Sequence, residues 1–573
     1  WVMDGKAIMF ANERYGLRNH ASWGTQEDVF LAFVNQDAYD RFRLSEEDYK
    51  MLKDIEDANK KKAKAAEEKK AAGKKKGKKP EAKKPAPADS ALTVELDGIE
   101  DRIVRLTPTS SMLGSAAMSK DGETLYFTSQ ATNGEVELWK ATLRKKECKM
   151  VQTMKSGGRM LQDKDGNIFL VGADIKKMDA KTGKMEPVTY LADMKMNMYD
   201  EREFLLQYMR HEVGERFYNK NMHGVKWDAL VDHYKQFLPH IANNYDFQEL
   251  MSEILGELNV SHTGGRYYRP SAKGDDATAS LGLLYDMTYT GEGVKVTEVV
   301  KGGPCDRKSS RIHAGSIIKA INGETVTKDM DISQLLNDMA RKKTLVTLKD
   351  GTEETVLPIT SSQFSSLLYD RWVRRCQHIV DSVSGGRLGY VHLQSMNDAS
   401  FRTIYSDMLG KYNLRDGCVI DTRWNGGGRL HEDVEILTSG KKYLTQMVRG
   451  TAMCDMPSRR YNKPTIMLQC EANYSNAHGT PWVYKHMGIG KLVGAPVPGT
   501  MTSVNWVTTQ DPSLVFGIPV VGYLQEDGKT YLENTQLEPD IYILNSPEDI
   551  VRGIDTQLIT ATKELLRQID SKK

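Results

Sequence analysis

The chain has 573 residues, 39% of them hydrophobic and 27% charged, with a formal net charge of +2. That composition belongs to a globular protein of several domains, and the near-zero charge excludes binding to nucleic acid through overall basicity. Six cysteines (Cys148, Cys305, Cys376, Cys418, Cys454, Cys470) form no CxxC pair, so no zinc site, disulfide framework or thiol nucleophile is expected, and no other metal or cofactor.

The chain opens on Trp1-Val2-Met3-Asp4-Gly5, which reads as the inside of a strand. A preceding segment is therefore expected, and the lack of a signal peptide leaves the compartment open. No run of 18 apolar residues is present, so no membrane span is expected. Asp4-Gly5, Asp121-Gly122 and Asp165-Gly166 each precede a short apolar strand. The spacing of the last two suits a four-stranded propeller blade, with an ordinary meander of hairpins as the alternative. Residues 1–188 are thus expected to form a partial β-propeller. Inside it, residues 51–95 include a tract from Asn59 to Ala91 made almost wholly of Lys, Ala, Glu, Gly and Pro. Such a tract buries too little apolar area to offset its ordering entropy, so a disordered insertion is expected rather than a basic arm for nucleic acid or membrane.

Residues 189–276 read as a helical module. Helical spacing of apolar residues runs over 201–213, 227–238 and 247–258, and the module ends on Ser261-His262-Thr263-Gly264-Gly265. Residues 277–358 contain the alternating strand 293–300, then Gly302-Gly303-Pro304, then Ile317 to Gly323. This order of strand, Gly-Pro turn, short helix and strand ending in Asn-Gly resembles a PDZ domain. The resemblance implies a peptide groove near Leu281, Gly282 and Leu283, where an extended chain could add as a strand, unless the domain serves only as a spacer. Residues 359–573 alternate strands (387–393, 417–421, 464–470, 492–497) with amphipathic helices and close on a helix over 548–568, an α/β pattern.

Two stretches of that last domain carry chemistry. In Pro464 to Gly479 an apolar strand runs into a polar corner and then a helix, which exposes Ser475 beside a helix N-terminus. That suits a nucleophile whose intermediate carries an oxyanion, although serine is also an ordinary helix cap. Earlier, the buried run Val419-Ile420 ends in Asp421-Thr422-Arg423-Trp424-Asn425-Gly426-Gly427-Gly428. Consecutive glycines leave backbone N–H groups open to a substrate carbonyl. A phosphate loop or a plain turn would look similar, but no Lys-Ser/Thr follows as a nucleotide loop requires.

Together the Asp-x-Arg-x-Asn-Gly-Gly-Gly run and the Asn-x-Ser corner resemble the C-terminal processing proteases and their tricorn relatives, preceded by a PDZ-like domain in the order that clan uses. The resemblance implies a multidomain fold whose α/β catalytic domain is of the ClpP/crotonase type. The lysine that serves as base in tail-specific proteases has no counterpart, since no lysine lies between Lys491 and Lys529. The tricorn branch uses a Ser-His pair upstream of the PDZ-like domain, matched by Ser261-His262, and a glutamate in a Glu-Asn…Pro-Asp segment, matched by Glu533. The implied catalytic set is Ser475, His262, Ser261 and Glu533, with N–H groups of Asn476 and Gly427 at the oxyanion and Gly426 as the alternative donor.

A neutral histidine base with an ordinary titration near pH 6–7 is expected. His478 competes for that role but projects from the first turn after Ser475, where it aims poorly at its own nucleophile. Tricorn has aspartate where this chain has Asn476, so a P1 preference less dominated by Lys and Arg is expected. The resemblance further implies peptide substrates, a homo-oligomer of ring-like hexameric form, and a cytoplasmic location, with a periplasmic or secreted one left open by the missing start. The rival reading is a non-catalytic, peptide-binding scaffold.

Overall fold

The computed structural model describes residues 1–17, 26–72, 93–131, 134–172, 174–272 and 274–571. They form two compact units, Trp1–Lys195 and Met196–Lys573.

The first unit is built from antiparallel meanders. Ala7–Asn12, Asp28–Phe33 and Ile103–Arg105 make a three-stranded sheet. Four strands from Met112 to Met154 make the next sheet, and four from Arg159 to Pro187 the third. Each Asp-Gly turn noted in the sequence sits before a strand that contributes apolar side chains to the core, among them Ala7, Leu125, Phe127, Ile168 and Leu170.

The Lys-rich insertion departs from expectation over its first half. Glu46–Ala72 is a helix of 27 residues. Ser45 caps it by accepting the Asp48 N–H at 3.1 Å, and its first turn is acidic. Ala, Glu and Lys are strong helix formers, so local propensity sustains a helix that has almost no core to pack against. Low hydrophobicity alone therefore misjudged residues 51–72 as disordered. Residues 93–95 are also ordered, the Glu95 N–H bonding the Val34 carbonyl at 2.7 Å. The remainder of the expected disordered tract, 73–92, lies outside the described residues.

In the second unit three helices come first: α1 (Met198–Arg216), α2 (Trp227–Tyr234) and α3 (Asn244–Gly256). Asn243 caps α3 through the Tyr245 and Asp246 N–H groups. The chain then forms β1 (Gly265–Tyr267). Residues 279–360 hold an antiparallel sheet, with Leu283–Tyr285 at its edge beside Val294–Val299. The segment expected to line a peptide groove lies at this edge. Leu281 and Leu283 are buried core residues. Gly282 has φ +73°, and a Cβ on it would lie 2.7 Å from Pro304 Cδ. Gly282 thus packs the chain against the Gly-Gly-Pro turn, and the two leucines hold the edge strand to the core.

The α/β domain begins with α4 (Ser361–Ser384), closed by a capping box between Thr360 and Gln363. Five parallel strands follow in spatial order β2 (Leu388–His392), β3 (Gly417–Asp421), β4 (Thr465–Gln469), β5 (Leu492–Gly494) and β8 (Ile541–Tyr542). Strands β3 to β5 are buried throughout, as parallel strands covered on both faces must be. On one face lie α5 (Asp398–Ser406), α6 (His431–Thr438) and α7 (Asn476–His486). On the other lie α4 and α8 (Thr556–Asp570). The single terminal helix expected over 548–568 is two, Pro547–Arg552 and α8.

Between β5 and β8 the chain forms the hairpin β6 (Thr502–Thr508) and β7 (Leu514–Gly522). This hairpin leaves the parallel sheet and pairs with β1, Gly265 opposite Phe516. Phe516, Ile518, Val507 and Leu514 enter the same core as Leu206, Met209, Met251 and Ile254 of the helical module. Residues more than 250 apart in sequence thus share one hydrophobic core, which carries the Ser261-His262 loop to the carboxyl ends of the strands.

Candidate active site

Ser475 stands where β4 turns into α7, at the helix N-cap with φ 59° and ψ −127°. A non-glycine residue in that region stores about 1–3 kcal/mol and persists only where its surroundings hold it. Here they do. The Ser475 N–H is bonded to Thr500 Oγ1 at 2.9 Å, the Tyr474 N–H to the Asn425 carbonyl at 3.0 Å, and the Asn473 amide to Thr422 Oγ1 at 2.9 Å. His262, Trp424 and Asn534, which surround the same corner, also hold positive φ (64°, 59° and 59°).

The glycine loop lies against the serine. A Cβ on Gly427 would fall 2.5 Å from Ser475 Cβ, so only glycine fits. The Gly427 N–H is occupied, donating to Asn425 Oδ1 at 2.8 Å. The N–H groups of Gly426 and Asn476 have no protein partner among the described residues. Of the two glycines expected as oxyanion donors, Gly426 is therefore the open one and Gly427 the spacer.

Beneath the loop is a buried ion cluster. Arg423, fully buried, bonds Asp421 at 2.7 Å, Asp555 at 2.9 Å and Gln557 Oε1 at 3.0 Å. Tyr390 Oη donates to Asp421 at 2.9 Å. The guanidinium holds the Asp421 carboxyl below its usual range, against the burial that pushes it up. Removing one member of such a pair strands a charge and costs about 3–5 kcal/mol. The Asp-x-Arg spacing of the motif thus anchors the loop to the start of α8.

Ser261 and His262 reach this corner from the helical module. His262 Nδ1 is 2.7 Å from Ser261 Oγ, and Ser261 Oγ donates to Glu533 Oε2 at 3.0 Å. The Ser261 N–H donates to the other carboxylate oxygen at 2.6 Å. The His262 N–H donates to Tyr474 Oη at 2.7 Å, and the two rings pack with centroids 4.7 Å apart. Asn534 ties the Glu533 segment to the module by donating to the Asn259 carbonyl at 2.8 Å. Ser475 Oγ and the His262 ring are not hydrogen-bonded to each other in this structure.

Burial, with the Arg266 cation adding to it, pushes His262 down to about 4. The ordinary histidine value expected from sequence is corrected accordingly: the ring is neutral through the physiological range. Burial raises the Glu533 carboxyl, offset by the two Ser261 bonds. His478 is the opposite kind of histidine. It is fully buried, and neither ring nitrogen has a hydrogen-bond partner among the described residues. Burial pushes it to about 4 as well.

Asn476 is committed elsewhere. Its Oδ1 accepts the Leu430 and His431 N–H groups at 2.7 and 3.1 Å, capping α6, and its amide donates to His431 Nδ1 at 2.7 Å. A carboxylate at 476 would cap the same helix. Tyr474, Thr500 and Thr502 were missed in the sequence; Tyr474 precedes the serine without any recognisable signature, and Thr500 reaches it from 25 residues away.

Residues 387–543 match the peptidase family S41, and residues 198–256 match the tricorn protease C1 domain. A tricorn protease homolog of Saccharolobus solfataricus is 23% identical over 83% of this chain and 46% of its own. Tricorn protease homolog 1 of Streptomyces coelicolor is 23% identical over 81% of this chain and 46% of its own. The chain thus spans about half the length of these relatives. A crystal structure of the tricorn protease aligns over 99% of this chain and 54% of its own, with a TM-score of 0.71 at 15% identity, a likeness of fold. No described helix is long and apolar enough to cross a membrane.

Proposed function

We propose, from the premise that this chain is a tricorn-like serine-type peptidase, that it cleaves peptides through Ser475, with His262 as base and Ser261 and Glu533 as the relay behind it. The observation that carries this reading is the unbroken bond path from His262 Nδ1 through Ser261 Oγ to Glu533, joined by the His262 N–H to the residue before Ser475.

The chemistry follows from those positions. A serine hydroxyl becomes a competent nucleophile only when a base takes its proton. A neutral His262 offers a lone pair on Nε2 provided the ring proton sits on Nδ1. Glu533 fixes that tautomer at one remove: it draws the Ser261 hydroxyl proton, and leaves Ser261 Oγ to accept Nδ1–H. As Ser475 Oγ attacks a peptide carbonyl, the charge on the carbonyl oxygen meets the open N–H groups of Gly426 and Asn476, the second at the positive end of α7. His262 then returns its proton to the leaving amine, and water repeats the sequence on the acyl-enzyme.

Residues 1–188 are read as a propeller fragment and 277–358 as a PDZ-like domain whose free contribution is the backbone edge of Leu283–Tyr285. Both suit extended peptides better than folded proteins. Oligopeptides should be cut and a stable folded domain left intact; rapid digestion of the folded domain would refute the substrate class. Labelling of Ser475 by a fluorophosphonate, located by peptide mapping, tests the nucleophile, and the scaffold reading requires that no label be found.

A further inference from the structure

The Nδ1 side of His262 faces two hydroxyls. Besides Ser261 Oγ at 2.7 Å, Thr502 Oγ1 lies 2.9 Å from Nδ1, and the two hydroxyl oxygens are 3.2 Å apart. Thr502 opens β6 and is buried. Its pairing opposite Gly522 fixes the backbone from which the hydroxyl projects.

A count of protons assigns each oxygen its part. Nε2 must hold a lone pair to act as base, so the single proton of neutral His262 is on Nδ1. Ser261 has one hydroxyl proton, and the Glu533 carboxylate can only accept it. Ser261 Oγ therefore meets Nδ1–H with a lone pair. Thr502 Oγ1 meets the same proton with a lone pair of its own, and the second lone pair of Ser261 Oγ is open to the Thr502 proton. The triangle closes without a clash of donors.

We propose that Thr502 is a positioning residue of the proton relay: its hydroxyl shares the Nδ1–H of His262 with Ser261, so that the imidazolium formed during attack rests on two oxygens. The proposal rests on the reading of His262 as base. In the step concerned the Ser475 O–H bond breaks, the His262 Nε2–H bond forms, and the electron pair left on Oγ makes the bond to the carbonyl carbon.

The need for a second oxygen is electrostatic. The only carboxylate in the relay is one hydroxyl away from the ring, so its attraction for the imidazolium is diluted. The other groups facing His262 do not replace it. Arg266, on β1, opposes the charge. Tyr474 accepts the His262 backbone N–H, and its own hydroxyl interacts with Ser261, not with the ring nitrogen. His223, whose influence reaches Glu533, is bonded to Tyr218 Oη and the Leu258 carbonyl. An extra acceptor at 2.9 Å stabilises the charged ring more than the neutral one, because hydrogen bonds to ionised groups are the stronger.

The test uses fluorophosphonate labelling of Ser475 in the 573-residue chain, resolved into its maximal rate and its half-saturating concentration. Thr502→Val keeps the shape and removes the hydroxyl; Thr502→Ser keeps the hydroxyl. Thr502→Val should lower the maximal rate by about 10–100-fold with half-saturation nearly unchanged, since only the proton-transfer state is affected. Its ascending pH limb should move to lower pH, because an imidazolium deprived of an acceptor loses its proton more readily. Thr502→Ser should restore most of the rate and the limb. Wild-type rate and limb in Thr502→Val would overturn the proposal, as would a Thr502→Ser no better than Thr502→Val. If the valine variant does not fold, Thr502→Ala against Thr502→Ser provides the same contrast. His262→Ala runs alongside: a rate unchanged by it would overturn the reading of the base, whatever Thr502 does.

Discussion

The surroundings of His262 and of His478 differ in a way that their titration does not reveal. Both rings are pushed to about 4, and burial is the leading cause in each. Around His262 the buried space is polar, with a hydroxyl, a second hydroxyl and a carboxylate arranged in sequence. Around His478 neither nitrogen has a partner among the described residues. A depressed histidine is thus not in itself a catalytic one. What distinguishes the two is whether the protein has prepared a partner for the Nδ1 proton.

That contrast can be broken in order of severity. Ser475→Ala should remove essentially all peptide hydrolysis, measured by steady-state turnover. His262→Ala should be nearly as severe, because members of a cooperating unit do not contribute separately. Glu533→Gln should lose about 10²–10⁴-fold, since the amide keeps the shape of the relay but withdraws the charge that sets the tautomer.

The pH profile sharpens the contrast further. With His262 held near 4, the ascending limb of the labelling rate should lie well below the ordinary histidine range. Arg266→Gln removes the cation that opposes the imidazolium, so the limb should move upward. A limb that stays in place would leave burial as the sole cause.

The smallest effect on activity belongs to His478→Leu, which should turn over nearly as the parent does. Its mark should be on stability. The unfolded chain binds a proton at His478 below its ordinary value of 6.5, while the folded chain refuses it until about 4. Stability is therefore lost as pH falls from 6.5 towards 4, and His478→Leu should lessen the fall of the melting temperature over that window, His262 contributing the remainder. A melting curve as pH-dependent as the parent's would show that His478 is solvated after all.

How much of this was legible depended on where the partners lie. The Asp421 to Gly428 run and the Ser475 corner could be read because their parts are adjacent in sequence and strand, turn and helix signals frame them. Ser261, His262 and Glu533 were reached only through the resemblance; their bonds span 272 residues and no local pattern joins them. Thr502 was invisible for the same reason, being one threonine in a plain strand brought to His262 across 240 residues. The occupied Gly427 N–H depends on a side-chain rotamer of Asn425, which a motif does not encode. That Leu281 and Leu283 are core residues beside an open strand edge was not legible, because only the fold tells which way the side chains of a strand point. The helix over 46–72 shows the reverse failure, propensity overriding a compositional rule.

The account stands on one claim above the others, that a histidine from the helical module serves a serine of the α/β domain. The rate of Ser475 phosphonylation at neutral pH, compared between His262→Ala and His478→Leu, tests it most directly. The rate should collapse in His262→Ala and stay close to the parent in His478→Leu. A normal rate in His262→Ala with a collapsed rate in His478→Leu would contradict it.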